Sequence, residues 1–352
     1  MRKYHFVVSD KLNIPTRKKE SAAGVAPRHF FIELSEMLSG QIYEPDFEID
    51  TASPKRLIHK CLNTPEHLVR LADTVSQNCA NDDVIFCIGE AIALPVAYAL
   101  KKKGKTTKLA SFGHNLYRPR ITVANSLCGC LNRVDLFLVF TAEAEGRSGK
   151  NRLYFEQTDD RMFSPDPSQG NIKKPGTALD KPLIISIGLE KRDNMTLAKA
   201  TVDLNVDVRI TAFSRDAQPD PRASPDPMPS NMSSRFYPWR ELVDLYRSAD
   251  IVVVPVVPTN YVAGITSILE AAAVGRPIIA TGNPALKDAV ADQDIAAWVP
   301  PEDAAALRET LLNLLEHPAT LASMGDKAKA IQAKHHGFAS KIDEVIAELT
   351  AL

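Results

Sequence analysis

Short runs of apolar, largely β-branched residues alternate along this chain with longer stretches in which apolar positions recur every three or four residues. The first pattern marks buried strands and the second amphipathic helices. In the first half it predicts strands at Tyr4–Ser9, Val84–Ile88, Lys108–Phe112 and Leu136–Thr141, with helices at His29–Leu38, Pro65–Asn78 and Ile92–Lys103. In the second half it predicts strands at Leu183–Ile187, Val208–Ala212, Ile251–Val254, Ile278–Ala280 and Ala297–Val299. The helices expected there are Met195–Leu204, Arg240–Ser248, Ser267–Val274, Pro284–Val290, Ala304–Glu316 and a final amphipathic helix from Phe338 to Leu352. Strands that alternate with helices point to the α/β class with parallel sheets, and the two halves read as similar α/β units.

The junction between the halves is visible in composition. Phe155–Pro165 (FEQTDDRMFSP) is an extended run ending in an acidic turn, and Pro, Ser, Gly and Lys dominate from there to Pro182. That is linker composition. A chain of 352 residues exceeds the usual single core, so two domains are expected, 1–165 and 166–337, followed by the last helix, 338–352. A second Pro-rich piece, Gln218–Pro229, reads as a surface loop inside the second domain.

Composition adds little to the class. With 45% hydrophobic and 24% charged residues the chain is an ordinary globular protein. Its five cysteines (Cys61, Cys79, Cys87, Cys128, Cys130) are odd in number and lack CxxC pairs, which suits reduced cytosolic thiols better than a disulfide framework or a zinc knuckle. The opening MRKYHFVVSD is too short for a signal peptide, and no apolar run approaches the length of a spanning helix, so a cytoplasmic protein is expected. Charge is shared unevenly: residues 1–165 hold 23 Lys+Arg against 19 Asp+Glu, and the remainder 19 against 24. The mildly basic half offers a surface for anionic lipid at the inner membrane face or for a phosphorylated acceptor, with an ordinary solvated surface as the alternative. The lysines of Lys101–Lys103, Lys105 and Lys108 close a helix, where a solvated cap is the simpler account. A near-neutral pI of 6.7 and no basic stripe interleaved with aromatics argue against nucleic acid. P-loop, G-x-G-x-x-G, HExxH and Asp-x-Asp patterns are missing from the sequence, which argues against a P-loop enzyme or a dehydrogenase.

Chemistry concentrates in Ala263–Val290, AGITSILEAAAVGRPIIATGNPALKDAV. A Gly264-Ile265-Thr266-Ser267 turn runs into a helix that carries Glu270 and ends at Gly275. Backbone N–H groups and hydroxyls at a helix N-terminus suit phosphate, and a carboxylate one turn later suits ribose hydroxyls. The competing account is simple helix capping by a hydroxyl and a surface Glu near a helix start. Upstream, Gly188 closes a strand and is followed by Lys191 and Arg192, while Arg235–Arg240 (RFYPWR) precedes a helix. In the first half two strand ends stand out, Gly89-Glu90 and Gly113-His114-Asn115, because ligands of open parallel sheets bind at the carboxyl ends of strands. His114 is a candidate to donate to donor or acceptor, with a structural histidine as the alternative. Glu90 is a candidate to orient an acceptor hydroxyl, and Arg118 and Arg120 are candidates to meet an anionic acceptor group.

The Ala263–Val290 stretch resembles the donor-binding element of retaining glycosyltransferases of the GT-B fold, in particular glycosyltransferase family 4, and Asp160…Phe163-x-Pro165 resembles that family's inter-domain stretch. The likeness is specific over about 160–350 and weak over 1–150. It implies a GT-B architecture: two Rossmann-like domains facing a donor cleft, with the last helix crossing back onto the first. It implies transfer of a sugar, a hexose in the usual case, from a UDP- or GDP-linked nucleotide sugar to an acceptor hydroxyl of a glycan, a lipid-linked molecule or a small molecule, with retention and without a metal or other cofactor. Under it Glu270 binds ribose, Gly264, Ile265, Thr266 and Ser267 hold the diphosphate, Arg192 with Lys191 offsets the leaving-group charge, and Tyr237 and Pro238 lie near the base. One position departs from the pattern. The family's second glutamate, eight residues before the ribose one, is Val262 here. That substitution also admits a non-catalytic nucleotide-binding subunit, and a GT-B nucleotide-sugar epimerase is a third possibility.

Overall fold

The computed structural model describes residues 2–46, 64–116, 118–163, 181–211 and 221–352. Most of the linker, residues 212–217, the first three residues of the Pro-rich loop (218–220), Cys61, Pro165 and the side chain of Arg120 lie outside them. The chain divides into two compact units, one made of Met1–Ala23, Arg28–Tyr154 and Lys341–Leu352, the other of Gly24–Pro27 and Phe155–Ser340.

In the first unit six parallel strands, β1 (Tyr4–Val7), β2 (Gln41–Tyr43), β3 (Val84–Cys87), β4 (Lys108–Gly113), β5 (Leu136–Val139) and β6 (Asn151–Leu153), lie in the order β2-β1-β3-β4-β5-β6. The inner strands β3 and β5 are buried throughout, which is why they read as unbroken apolar runs, and β4 is buried from Leu109 onward. One face is aromatic: Phe31 stacks on Phe86 at 5.0 Å, and Phe112 sits 5.1 Å from both Phe86 and Tyr154. The opposite face is filled by the helix α1 (Glu90–Lys102), whose Ile92, Val96 and Leu100 are fully buried.

The second unit repeats the plan with β7 (Leu183–Ser186), β8 (Asp207–Thr211), β9 (Met232–Arg235), β10 (Ile251–Val254), β11 (Ile278–Thr281) and β12 (Ala297–Val299), again all parallel, in the order β12-β11-β10-β7-β8-β9. Chain order reverses between β7 and β10, so that is this sheet's switch point. The helices α2 (Trp239–Ser248) and α3 (Ile265–Ala273) bury one side of it, and α3 is covered by the longer α4 (Pro318–His335). Gly325 of α4 comes so close to the carbonyl of Gly275 that a Cβ there would collide with it.

The acidic turn is in fact a short helix, Asp160–Phe163. Asp160 Oδ1 accepts from Gln332 Nε2 at 3.2 Å and from the Phe338 N–H at 3.3 Å, which ties the junction to the start of the last helix, α5 (Phe338–Ala351). Beside it the Thr158 N–H bonds the His336 carbonyl at 3.1 Å. From Lys341 onward α5 belongs to the first unit, where Ile342, Val345 and Leu349 are buried. Among the described residues no helix is long and apolar enough to cross a membrane. Leu349→Ala is expected to lower stability by about 2–4 kcal/mol in urea unfolding, as a truncated core leucine does; a loss under ~0.5 kcal/mol would show that the helix adds nothing to the core.

Candidate functional site

At the β7–β10 switch point the chain after β7 turns at Gly188, where φ is +95°, and comes back along β10, with Arg192 bridged to Val256 in antiparallel fashion. The turn needs glycine for space as well as for φ: a Cβ on Gly188 would lie 2.6 Å from Arg192 Nη2. Arg192 is therefore folded back under the sheet end and is 3% exposed. Its Nε donates to the Ile187 carbonyl at 2.9 Å, Nη1 to the Glu190 carbonyl at 3.2 Å and Nη2 to Ser267 Oγ at 2.8 Å. Burial lowers its pKa to about 10, while Tyr246, Glu190 and Glu270 act in the opposite direction, so the guanidinium stays charged at neutral pH. Lys191 takes the other course. Its backbone is left-handed, with φ 56°, its carbonyl accepts from the Val257 N–H at 3.0 Å, and its side chain is exposed.

Above Arg192 begins α3. Gly264 precedes it in a left-handed conformation (φ +96°), and a Cβ there would meet Val254 Cγ1 at 2.8 Å and Arg192 Nη1 at 3.4 Å. No side chain caps this helix. Its first-turn N–H groups, those of Ile265, Thr266 and Ser267, have no intrahelical acceptor and lie over a buried cation, which reinforces the positive end of the helix dipole. The two hydroxyls differ in use: Thr266 is exposed, whereas Ser267 Oγ accepts from Arg192 and donates to the Ile187 carbonyl at 3.0 Å. Ser267 is thus spent on holding the arginine, and Thr266 is the hydroxyl open to a ligand.

Glu270, one turn further, is 6% exposed. Its Oε2 accepts from the Tyr246 hydroxyl of α2 at 2.8 Å. Burial raises the carboxyl pKa to about 7, with the Tyr246 hydrogen bond and the Arg192 charge pulling against it. Nothing in the sequence singles out Tyr246, which reads as one apolar position of an amphipathic helix. The available signal was indirect: a carboxylate in so apolar a helix must find a donor. Val262, eight residues before Glu270, packs its half-buried side chain against the core of this unit.

The RFYPWR segment divides. Tyr237 points into the core at 6% exposure with the Arg235 guanidinium 3.9 Å above its ring, while Pro238 starts α2 and Phe236 and Trp239 are exposed. In the first unit Glu90 and His114 come together at adjacent strand ends. Both Glu90 oxygens accept main-chain bonds, from His114 N at 3.1 Å and Asn115 N at 3.2 Å, so the carboxylate laces the two loops. The exposed His114 ring stacks on Phe140 at 4.7 Å, with Nε2 3.4 Å from the Ile88 carbonyl. Arg118 is half-buried beside the helix Pro119–Cys128. The lysine cluster mostly bonds carbonyls: Lys101 that of Cys128 at 2.7 Å, Lys103 that of Asp73 at 3.0 Å, and Lys105 that of Cys79.

Two comparisons bear on this geometry. Residues 199–317, a third of the chain and all within the second unit, match the family model Glycosyl transferases group 1. Among solved structures the chain resembles α,α-trehalose 6-phosphate synthase from Burkholderia multivorans (TM-score 0.72, 14% identity, 100% of this chain and 99% of that one). It also resembles sucrose-phosphate synthase from Thermosynechococcus elongatus (0.68, 16%, 99% and 100%) and HepE from Anabaena solved with UDP and glucose (0.67, 14%, 100% and 100%). The fold is GT-B. The family match falls in the same unit as the β7–β10 switch point, and Gly188 and Arg192 precede the matched residues. No curated protein matches the chain in sequence.

Two outcomes check the site. Gly188→Ala is expected to lower stability by ~1–3 kcal/mol through left-handed strain and the clash with Arg192; an unchanged melting temperature would show that the arginine has room to move. For Glu270 the sign follows from its raised pKa. The native state holds the proton more tightly, so stability present at low pH is lost as pH rises from the unfolded value of 4.5 through about 7. Glu270→Gln is therefore expected to gain on the wild type by roughly 3 kcal/mol between pH 4 and pH 8 in denaturant titrations. A pH-independent difference would mean that the carboxylate is solvated.

Proposed function

We propose that this protein is a retaining glycosyltransferase that moves a sugar, a hexose in the simplest case, from a UDP- or GDP-linked donor to an acceptor hydroxyl without a metal. The observation that carries the reading is the stacking of a buried, charged Arg192 beneath the uncapped start of α3, with Glu270 one turn away. The family match over residues 199–317 supports it, as does the UDP-containing HepE structure of the same fold.

In this reading the first-turn N–H groups of α3 and the Thr266 hydroxyl hold the diphosphate. The Arg192 charge favours the extra negative charge that develops as the sugar–phosphate bond breaks, and it does so from a fixed position that needs no reorganisation. Exposed Lys191 is placed to add a mobile charge. Glu270 accepts from the ribose hydroxyls, and Pro238 with the backbone around Tyr237 borders the base. Retention is assigned to front-face attack, in which a leaving phosphate oxygen takes the acceptor proton, so no protein nucleophile is required. His114 and Glu90 of the first unit are assigned to the acceptor side, His114 by direct contact and Glu90 through the loops that it laces together. The acceptor is a glycan, a lipid-linked molecule or a small molecule, and the basic first half makes peripheral contact with the inner membrane face the proposed arrangement for a lipid-linked one.

Val262 favours a second reading. With an apolar, half-buried side chain where the family pattern has a sugar-binding glutamate, the chain is also suited to bind a nucleotide without transferring a sugar. Thermal unfolding against UDP, GDP, ADP and CMP separates these readings from no binding at all. A ligand at 100 times its dissociation constant adds about 2.7 kcal/mol. Stabilisation by one nucleotide, lost in Glu270→Ala, is expected, and no shift with any of them would remove the donor site. Nucleotide release that depends on a sugar donor then decides for transfer over binding alone.

A further inference from the structure

We propose that Tyr246 is a positioning residue for nucleotide binding: its hydroxyl holds one carboxylate oxygen of Glu270 and leaves the other for the ribose. The proposal rests on the reading of Glu270 as the ribose ligand. Tyr246 is fully buried and lies on α2, so it does not itself reach a ligand. Its ring packs edge-on against Phe163 at 6.1 Å, and phenylalanine would satisfy that contact equally well. What the hydroxyl adds is the 2.8 Å bond to Glu270 Oε2, together with a contact to the Ser267 hydroxyl. Among the described residues no bond engages Oε1 of the same carboxylate, so one oxygen is anchored and the other is at liberty.

The anchor also bears on charge. An O–H donor favours the ionised carboxylate, as does the Arg192 guanidinium, against the burial that opposes it. The remaining surroundings contribute little. Strands β10 and β11 carry no titratable side chains, Asp160 of the short helix is bound by Gln332 and the Phe338 N–H, and Lys327 of α4 is paired with Asp294. The hydrogen bond from Tyr246 is thus the main neutral contact that keeps Glu270 competent to accept at neutral pH.

The test is the affinity for UDP-glucose, whose diphosphate diester does not titrate near neutrality, measured calorimetrically from pH 6 to pH 9; if the nucleotide panel selects another base, the matching nucleotide sugar is the probe. In the wild type, affinity is expected to rise about tenfold from pH 6 to pH 8 as Glu270 ionises. In Tyr246→Phe, which keeps the ring in the core, the same rise is expected at least one unit higher, with affinity down about fivefold at pH 7.5 and within about twofold of the wild type at pH 9. A loss by the same factor at every pH, or an unshifted profile, would overturn the proposal, since a merely structural tyrosine would produce one or the other. Glu270→Gln separates the two levels of the argument. A flat, weakened profile supports the ribose reading whatever Tyr246→Phe does, and a profile like that of the wild type removes that reading and the proposal with it.

Discussion

A guanidinium buried at the end of a parallel sheet is the constraint around which the second unit is arranged. A charge so deep needs acceptors on several sides, and here they come from the Ile187 and Glu190 carbonyls and the Ser267 hydroxyl. Each acceptor places a demand on the chain. Gly188 must lack a side chain so that the arginine can fold back, Gly264 must turn with positive φ so that α3 starts directly above it, and Ser267 must give up its capping role. The outcome is a helix start whose own positive end lies over a fixed cation, a combination suited to anionic groups and little else.

The energetic counterpart is Glu270. A carboxylate placed near that cation would ordinarily ionise easily, yet burial raises its pKa to about 7. Stability is thereby given up for a group whose charge responds near neutrality, the pattern expected where a side chain serves binding more than folding. The first unit handles a carboxylate differently. Glu90, at the matching strand end, has both oxygens saturated by main-chain donors and so braces the loop that presents His114. Both units are six-stranded parallel sheets with different strand orders, and they use their strand ends for unlike tasks, one for charge and the other for loop geometry.

Much of the fold was legible in the chain. The inner strands are buried on both faces, so their apolar runs announce them, and their limits differ from expectation by a few residues at most. The strands that escaped notice, β2, β6 and β9, lie at sheet edges, are three or four residues long and carry exposed positions, so they show neither a run nor a clean alternation. Helix α4 escaped for another reason. PATLASMGDKAKAIQAKH has a weak apolar stripe, and its place depends on a close approach at Gly325 that no periodicity reveals.

The site divides in the same way. The sequence by itself determined the α/β class, the glycine turn opening α3 and the candidacy of Glu270, because glycine and a carboxylate in apolar surroundings carry their constraints locally. Arg192 stood out through its resemblance to a family pattern. Only the tertiary structure decided which groups those charges meet. Ser267 reaches Arg192 across 75 positions and Tyr246 reaches Glu270 across 24; Ser267 was marked locally for a different task, Tyr246 not at all, and neither pairing shows in the sequence. The physical reason is that a hydroxyl costs little in a strand-to-helix turn or on an amphipathic helix, and acquires meaning only when folding removes the water that would otherwise satisfy it.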